Sequence, residues 1–394
     1  MQKTKNIRFT LFVLIVLLCI FGMVMIYSAS SYSSEILYGD SFHFVKKQIF
    51  GFVLGLVLMF FTYLFDYHKY YKLRYYILGA SLILLALVFV PGIGISANGA
   101  RRWIGFGGLN LQSSEVAKFG FVIFCACYLS KNYQKTKTFR GILPILCAGG
   151  MICVLVMLEP NMSVTMCIGL VMIAMLVIGG MSWKHFAILS IPALALVVVL
   201  IVIEPYRFDR LIAFINPWAN PKEEGYQLIQ SLYSLGTGGL FGVGLFNSRQ
   251  KYLFLPFAES DFIFAIIGEE LGFVGCVLVL SVYATIIALG IKIALNSKDR
   301  MGAYLASGIV AVIAIQLLIN IAVVTGSIPP TGIPMPFVSA GGTSLSVFMG
   351  AIGILCNVAK MSESSEFSAK QKFVFANKNS SRFELFRKNY SMKK

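Results

Sequence analysis

Apolar runs long enough to cross a bilayer recur along this chain from residue 10 to residue 358. About 20 apolar residues span the hydrocarbon as a helix, and only helices or closed barrels satisfy their backbone hydrogen bonds there. The runs fall at 10–28, 44–65, 75–91, 114–130, 142–158, 162–180, 187–204, 262–290, 303–325 and 343–358. They predict an all-α integral membrane protein with ten transmembrane helices. A content of 58% hydrophobic and 13% charged residues also excludes a disordered chain, a coiled coil and a nucleic-acid platform. The first run follows Lys3, Lys5 and Arg8 and exceeds the apolar region of a typical signal peptide, so it reads as a retained anchor.

The position of the +16 net charge explains it. With the N-terminus in the cytoplasm, the inner segments and the C-terminal tail hold 23 of the 33 Lys and Arg residues. Positive charge favours the cytoplasmic side, which puts both termini there. The chain then divides into a membrane domain at 1–361 and a basic cytoplasmic tail at 362–394 facing an anionic leaflet. All eight cysteines lie inside predicted spans, where no structural disulfide is expected. The three histidines stand singly, without HExxH or CxxC spacing, so no dedicated transition-metal site is expected.

Three outer segments, 91–114, 205–260 and 326–342, are too long or too unusual to be mere connectors. The first sets Arg101, Arg102 and Trp103 among glycines. Guanidinium forks suit phosphate oxygens, although arginines also snorkel to lipid headgroups. Arg207 and Arg210 form a second outer pair, against the orientation bias, and an anionic lipid head is the simplest reason for it. Glu115 and Lys118 share a helix face and can pair, either to orient the helix or to serve a site. Glu159 lies in a short turn with Pro160, as a cap or a site wall.

The segment 205–260 forms a large extracytoplasmic loop between helices seven and eight. It opens with an amphipathic stretch ending at Asn216, Pro217 and Trp218. A glycine-rich stretch follows, suited to re-entrant backbone or to close helix packing. Gln227, Gln230 and Ser231 give it polar edges that fit sugar hydroxyls. Lys251, Glu259 and Asp261 then precede the eighth span. By spacing alone, Asp261 is either an N-cap or a chemical group. Glu269 and Glu270, inside that span, need hydrogen-bond partners or a polar cavity.

No GxxxxGK[ST] loop occurs, and the unusual polar residues gather outside. An enzyme working there must draw energy from its own substrate. A lipid-linked diphosphate sugar meets that need: a carboxylate accepts the proton of the attacking hydroxyl while cations stabilise the leaving diphosphate. A lipid transporter and a non-enzymatic scaffold stand as the alternative classes.

At GARRWI (99–104), QSSEVAK (112–118), EPN (159–161), NPW (216–218), GYQLIQSL (225–232), GTGGLFGVGL (236–245), SRQKYLFLP (248–256), SDFIFAIIGEELG (260–272) and PPTGIPMPFVSAGG (329–342) the chain resembles the SEDS family, FtsW, RodA and SpoVE. GARRWI and TGIPMPF resemble the FtsW and SpoVE side more closely. The resemblance implies a peptidoglycan glycosyltransferase that polymerises lipid II outside the bacterial cytoplasmic membrane, in division or related wall synthesis. It implies a class B penicillin-binding protein as partner, alongside other division or elongation proteins. The family's essential aspartate falls on Asp261, which becomes the catalytic base of an inverting displacement that releases undecaprenyl diphosphate. Arg101, Arg102, Glu115, Lys118 and Lys251 become candidates for substrate or diphosphate contact, with Arg207, Arg210, Gln227, Gln230 and Glu259 beside them. The resemblance leaves room for a divalent cation, Mg2+ or Mn2+, without identifying ligands for it. The chain departs from the family where LPFAESDF stands for LPEAHTDF, EPN for EPD and SAGG for SYGG.

Overall fold

The computed structural model describes residues 2–97, 100–106, 109–203 and 205–363. Helices lie over each of the apolar runs: α1 (Gln2–Tyr38), α2 (His43–Leu64), α3 (Tyr70–Leu87), α4 (Ser113–Asn132), α5 (Phe139–Leu158), α6 (Met162–Ile178) and α7 (Trp183–Ile203). The shorter helices α8 (Pro205–Ile215) and α9 (Tyr226–Gly238) follow, then α10 (Ile263–Leu295), α11 (Arg300–Val324) and α12 (Gly342–Glu363). Among the described residues, seven helices are long and apolar enough to cross a membrane: α1, α2, α4, α5, α10, α11 and α12. The run over 10–28 extends into a 37-residue helix, about 55 Å at 1.5 Å per residue, so α1 outreaches a 30 Å hydrocarbon core.

Helix α4 sits at the centre, packed by α3, α5, α6 and α11, and buries Ala117, Phe121, Val122, Cys125 and Ala126. Helix α2 meets α12 through Ser346 Oγ, which donates to the Gly51 carbonyl at 2.7 Å, and Asn357 Nδ2, which donates to the Tyr63 carbonyl at 2.7 Å. All eight cysteine thiols are free.

One small sheet departs from the helical expectation. Strands β1 (Gly94–Ala97), β2 (Ala100–Phe106) and β3 (Leu109–Gln112) pair antiparallel in the order β1-β2-β3. Glycines throughout 92–108 hide the strand signal, because glycine disfavours strands in isolation. The partners supply what propensity lacks: Ser96 faces Arg101 and Trp103 faces Gln112 in the ladder. Strand β3 runs directly into α4, and Thr343 Oγ1 of α12 donates to the Asn110 carbonyl at 2.7 Å.

Helix α10 is broken at Gly272, whose φ of 68° lies in the left-handed region. An unbroken helix would join the Phe273 and Val274 amides to the Glu269 and Glu270 carbonyls. Instead, Phe273 N donates to the Gly239 carbonyl (2.9 Å) and Val274 N to that of Leu240 (3.1 Å). The freed Glu269 and Glu270 carbonyls accept from Val243 N (2.9 Å) and Gly244 N (3.1 Å). The turn after α9 thus takes over both halves of two lost helical bonds. A Cβ at position 272 would run into the Gly242 amide and the Leu240 carbonyl as well as forcing the positive φ. Gly272→Ala is expected to cost about 1–3 kcal/mol from the backbone conformation alone. A lowered melting temperature in detergent checks this, and an unchanged one would contradict it.

Candidate active site

The segment from Thr331 to Gly341 has no ladder of its own, so side chains of the bundle must satisfy its backbone. Gln316 Nε2 donates to the Pro334 carbonyl (3.0 Å), Asn320 Nδ2 to that of Ile333 (2.8 Å), and the Tyr283 hydroxyl to that of Pro336. From α2, Gln48 grips both sides of Ala340: its Nε2 donates to the Ser339 carbonyl (3.2 Å) and its Oε1 accepts from Gly341 N (3.0 Å).

The segment so held carries the loop containing Asp261. Ser339 Oγ donates to the Ser260 carbonyl, Ala340 N donates to the Glu259 carbonyl (2.8 Å), and Asn320 Nδ2 also reaches the Asp261 carbonyl (2.8 Å). Asp261 does not cap α10: the capping position is Phe262, with no side-chain bond to the helix amides. Its carboxylate lies against Gly332, where a Cβ would stand 3.2 Å from Oδ2. Four residues upstream, Phe257 has a φ of 56°, a strained conformation for a bulky side chain and one that collects at functional sites.

Burial pushes the Asp261 carboxyl up to about 7, and repulsion from Glu259 adds to the rise. The Ser260 hydroxyl and the charges of Arg102 and Arg210 oppose it. Burial likewise raises the Glu259 carboxyl. The charges of Arg102 and Arg210 are thus felt at Asp261. Neighbouring residues of a strand point to opposite faces, which leaves Arg101 exposed and Arg102 half-buried on β2. Arg102 Nη2 donates to the Pro160 carbonyl at 2.6 Å, and Arg210 Nη1, from α8, to the Pro330 carbonyl at 3.2 Å. The side chain of Arg207 lies outside the described residues.

Glu115 and Lys118 form the expected pair, at 2.8 Å and almost fully buried. Lys118 also donates to Gln316 Oε1, which ties the pair to the Pro334 carbonyl. Gln227 and Gln230 are half-buried on α9, which packs along α10.

Lys251 belongs to a second cluster, at Glu269 and Glu270 just ahead of the break in α10. Its Nζ lies 3.6 Å from Glu270 Oε1 and donates to the Phe246 carbonyl at 2.5 Å. Glu270 also accepts from Ser28 Oγ (2.5 Å) and Ser248 N (3.3 Å). Glu269 accepts from Ser234 Oγ (3.1 Å), Ser248 Oγ (2.5 Å) and Arg249 N (2.8 Å). Both oxygens of Glu269 are thus bonded, whereas Glu270 is held through Oε1 and its Oε2 is buried without a hydrogen-bond partner.

Sequence reasoning missed Gln48, Gln316, Asn320 and Ser339 as the residues that fasten the site. The first three were visible as isolated amides inside apolar runs, which are costly there unless bonded. Among the described residues, no group of three or more His, Cys, Asp and Glu side chains could hold a metal ion.

The fold and these contacts define a multi-pass helical membrane protein in which the buried carboxyl of Asp261 feels the charges of Arg102 and Arg210. A family model described as cell cycle protein, covering FtsW, RodA and SpoVE, matches residues 9–364, and the chain belongs to that family. It is 40% identical over 354 residues to stage V sporulation protein E of Bacillus subtilis strain 168, covering 89% of this chain and 96% of that protein. It is 38% identical over 360 residues to the probable peptidoglycan glycosyltransferase FtsW of Geobacter metallireducens, covering 91% and 96%. Among solved structures, a chain of a peptidoglycan synthase complex superposes with a TM-score of 0.73 at 27% identity, covering 89% of this chain and 97% of that one. The rod shape determining protein RodA of Thermus thermophilus superposes with a TM-score of 0.65 at 26% identity, covering 89% and 95%.

Proposed function

We propose that this chain is a peptidoglycan glycosyltransferase that polymerises lipid II into glycan strands at the outer face of the bacterial cytoplasmic membrane. Its relatives named FtsW are probable peptidoglycan glycosyltransferases, and the solved neighbour belongs to a peptidoglycan synthase complex. The observation that carries the chemistry is Asp261, a carboxyl raised to about 7 and acted on by Arg102 and Arg210. A base poised near the working pH combines availability with driving force.

The acceptor's 4-hydroxyl attacks the anomeric carbon of the lipid-linked donor with inversion. The new C–O bond forms as the bond to the diphosphate oxygen breaks, the proton passes to Asp261, and undecaprenyl diphosphate leaves. Arg102 and Arg210 stabilise the negative charge that grows on that diphosphate. Arg101 and Arg207, beside them on the same elements, are further phosphate contacts, and Gln227 and Gln230 offer amides to sugar hydroxyls. The Glu115–Lys118 pair supports the floor of the site through Gln316. Two carboxyl groups that share the charges of two arginines are a poor donor set for Mg2+ or Mn2+.

In this reading all ten helices over the apolar runs span the membrane and both termini are cytoplasmic. The loop at 205–260 joins the seventh span to the eighth, with a re-entrant turn after α9. In support, that turn bonds to residues 269–274, which follow Asp261 by 8 to 13 positions, roughly 12–20 Å along a helix. Leu240 and Phe241 at its tip are exposed apolar side chains, as a lipid-facing tip requires. The basic tail beyond residue 363 lies outside the described residues. A class B penicillin-binding protein is the proposed partner, with other division or elongation proteins around the complex.

Purified chain with its transpeptidase partner is expected to convert lipid II to glycan strands, at a rate that rises with pH through about 7 as Asp261 loses its proton. Lipid II crossing liposome membranes with no polymer formed would instead establish a transporter.

A further inference from the structure

Glu159 ends α5 with its side chain fully buried. Ser113 Oγ donates to its Oε1 at 3.3 Å, while Oε2 is sealed from solvent without a hydrogen-bond partner. The main chain at this turn also fastens Arg102: the Glu159 carbonyl accepts from Nε at 3.4 Å and the Pro160 carbonyl from Nη2 at 2.6 Å. The guanidinium whose charge acts on Asp261 is therefore held by the turn that bears a second buried carboxyl.

We infer that Glu159 is a positioning residue that works in its protonated form, keeping Arg102 directed at Asp261 and the diphosphate, and that its ionisation draws Arg102 away and ends activity on the alkaline side. This rests on Asp261 as the base.

A buried carboxylate with an unbonded oxygen is costly, and the group avoids that cost by keeping its proton. Burial pushes Glu159 up to about 8, against the pull of Ser113 and then Arg102. Three elements pack around it. Strand β2 brings Arg102; the first turn of α4 brings Ser113, with Glu115 and Lys118 paired to each other; Asn161 caps α6, its Oδ1 accepting from Val164 N at 3.3 Å. Arg102 is the charge that acts on the group. Below about 8, this turn meets Arg102 through the Glu159 and Pro160 carbonyl oxygens; above it, a new anion competes with Asp261 and substrate for that cation. The pH profile then has an acid limb from Asp261 and an alkaline limb from Glu159.

Lipid II polymerisation by the chain with its transpeptidase partner, followed across pH, tests this. The wild-type rate should fall roughly tenfold per pH unit beyond the alkaline limb, as for a single titration. Glu159→Gln should lose that limb and keep the acid one. Ser113→Ala, which removes a contact that favours the anion, should move the alkaline limb to higher pH. An alkaline limb that persists in Glu159→Gln overturns the inference. If Glu159→Gln does not fold, an unmoved limb in Ser113→Ala overturns it. Failure of the base assignment would show separately, as polymer made by Asp261→Asn at the wild-type rate.

Discussion

Replacing Asp261 with Asn is expected to stop lipid II polymerisation, with the rate falling by a factor of about 10² to 10⁴, the contribution typical of a positioned general base. The amide fills the same volume but cannot accept the hydroxyl proton. The fold should survive, because the loop is held through its main chain, by Asn320 on the Asp261 carbonyl and Ser339 on that of Ser260. Asn also removes a buried carboxyl that burial and Glu259 together disfavour as an anion, so melting should not fall. A variant that melts normally, binds its transpeptidase partner and makes no strand would fit the assigned role. Polymer at the normal rate would remove Asp261 from the chemistry.

Lys251→Met is expected to destabilise the protein by about 3–5 kcal/mol, the usual loss when one partner of a buried ion pair disappears. Lys251 is 6% exposed and Glu270 0%, so solvent cannot replace the missing cation. Ser28 and Ser248 still donate to Glu270, yet neither brings a charge. The double variant Lys251→Met, Glu270→Gln removes both charges and should recover most of the loss, giving a large coupling energy in a double-mutant cycle. If Lys251 instead contacts diphosphate, melting will hold steady while KM for lipid II rises.

Much of this was legible in the sequence because hydrocarbon imposes so strict a condition on the backbone. The apolar runs foretold where helices form, and the spacing of Glu115 and Lys118 foretold their pairing. Asp261 stood out through its motif, whereas spacing alone could not separate a base from a helix cap. The sheet over 94–112 was hidden because its strands are short, glycine-rich and stable only through their partners. With the sheet unseen, so was the strand alternation that sends Arg102 inward and Arg101 outward. Lys251 is close in sequence to Asp261, but its Nζ lies against Glu270, nine residues beyond Asp261 in α10. Sequence distance carried no information about that pairing.

The exchange of bonds at Gly272 bears on which parts of the molecule can move. Straightening α10 would strand the amides of Val243 and Gly244, and withdrawing the turn would strand those of Phe273 and Val274. Either leaves polar groups unsatisfied in apolar surroundings, at several kcal/mol for each. The bend is a welded joint rather than a hinge. Any flexing that lets a growing strand slide past the enzyme must arise above it, and hydrogen exchange at those four amides should be as slow as in the middle of α4.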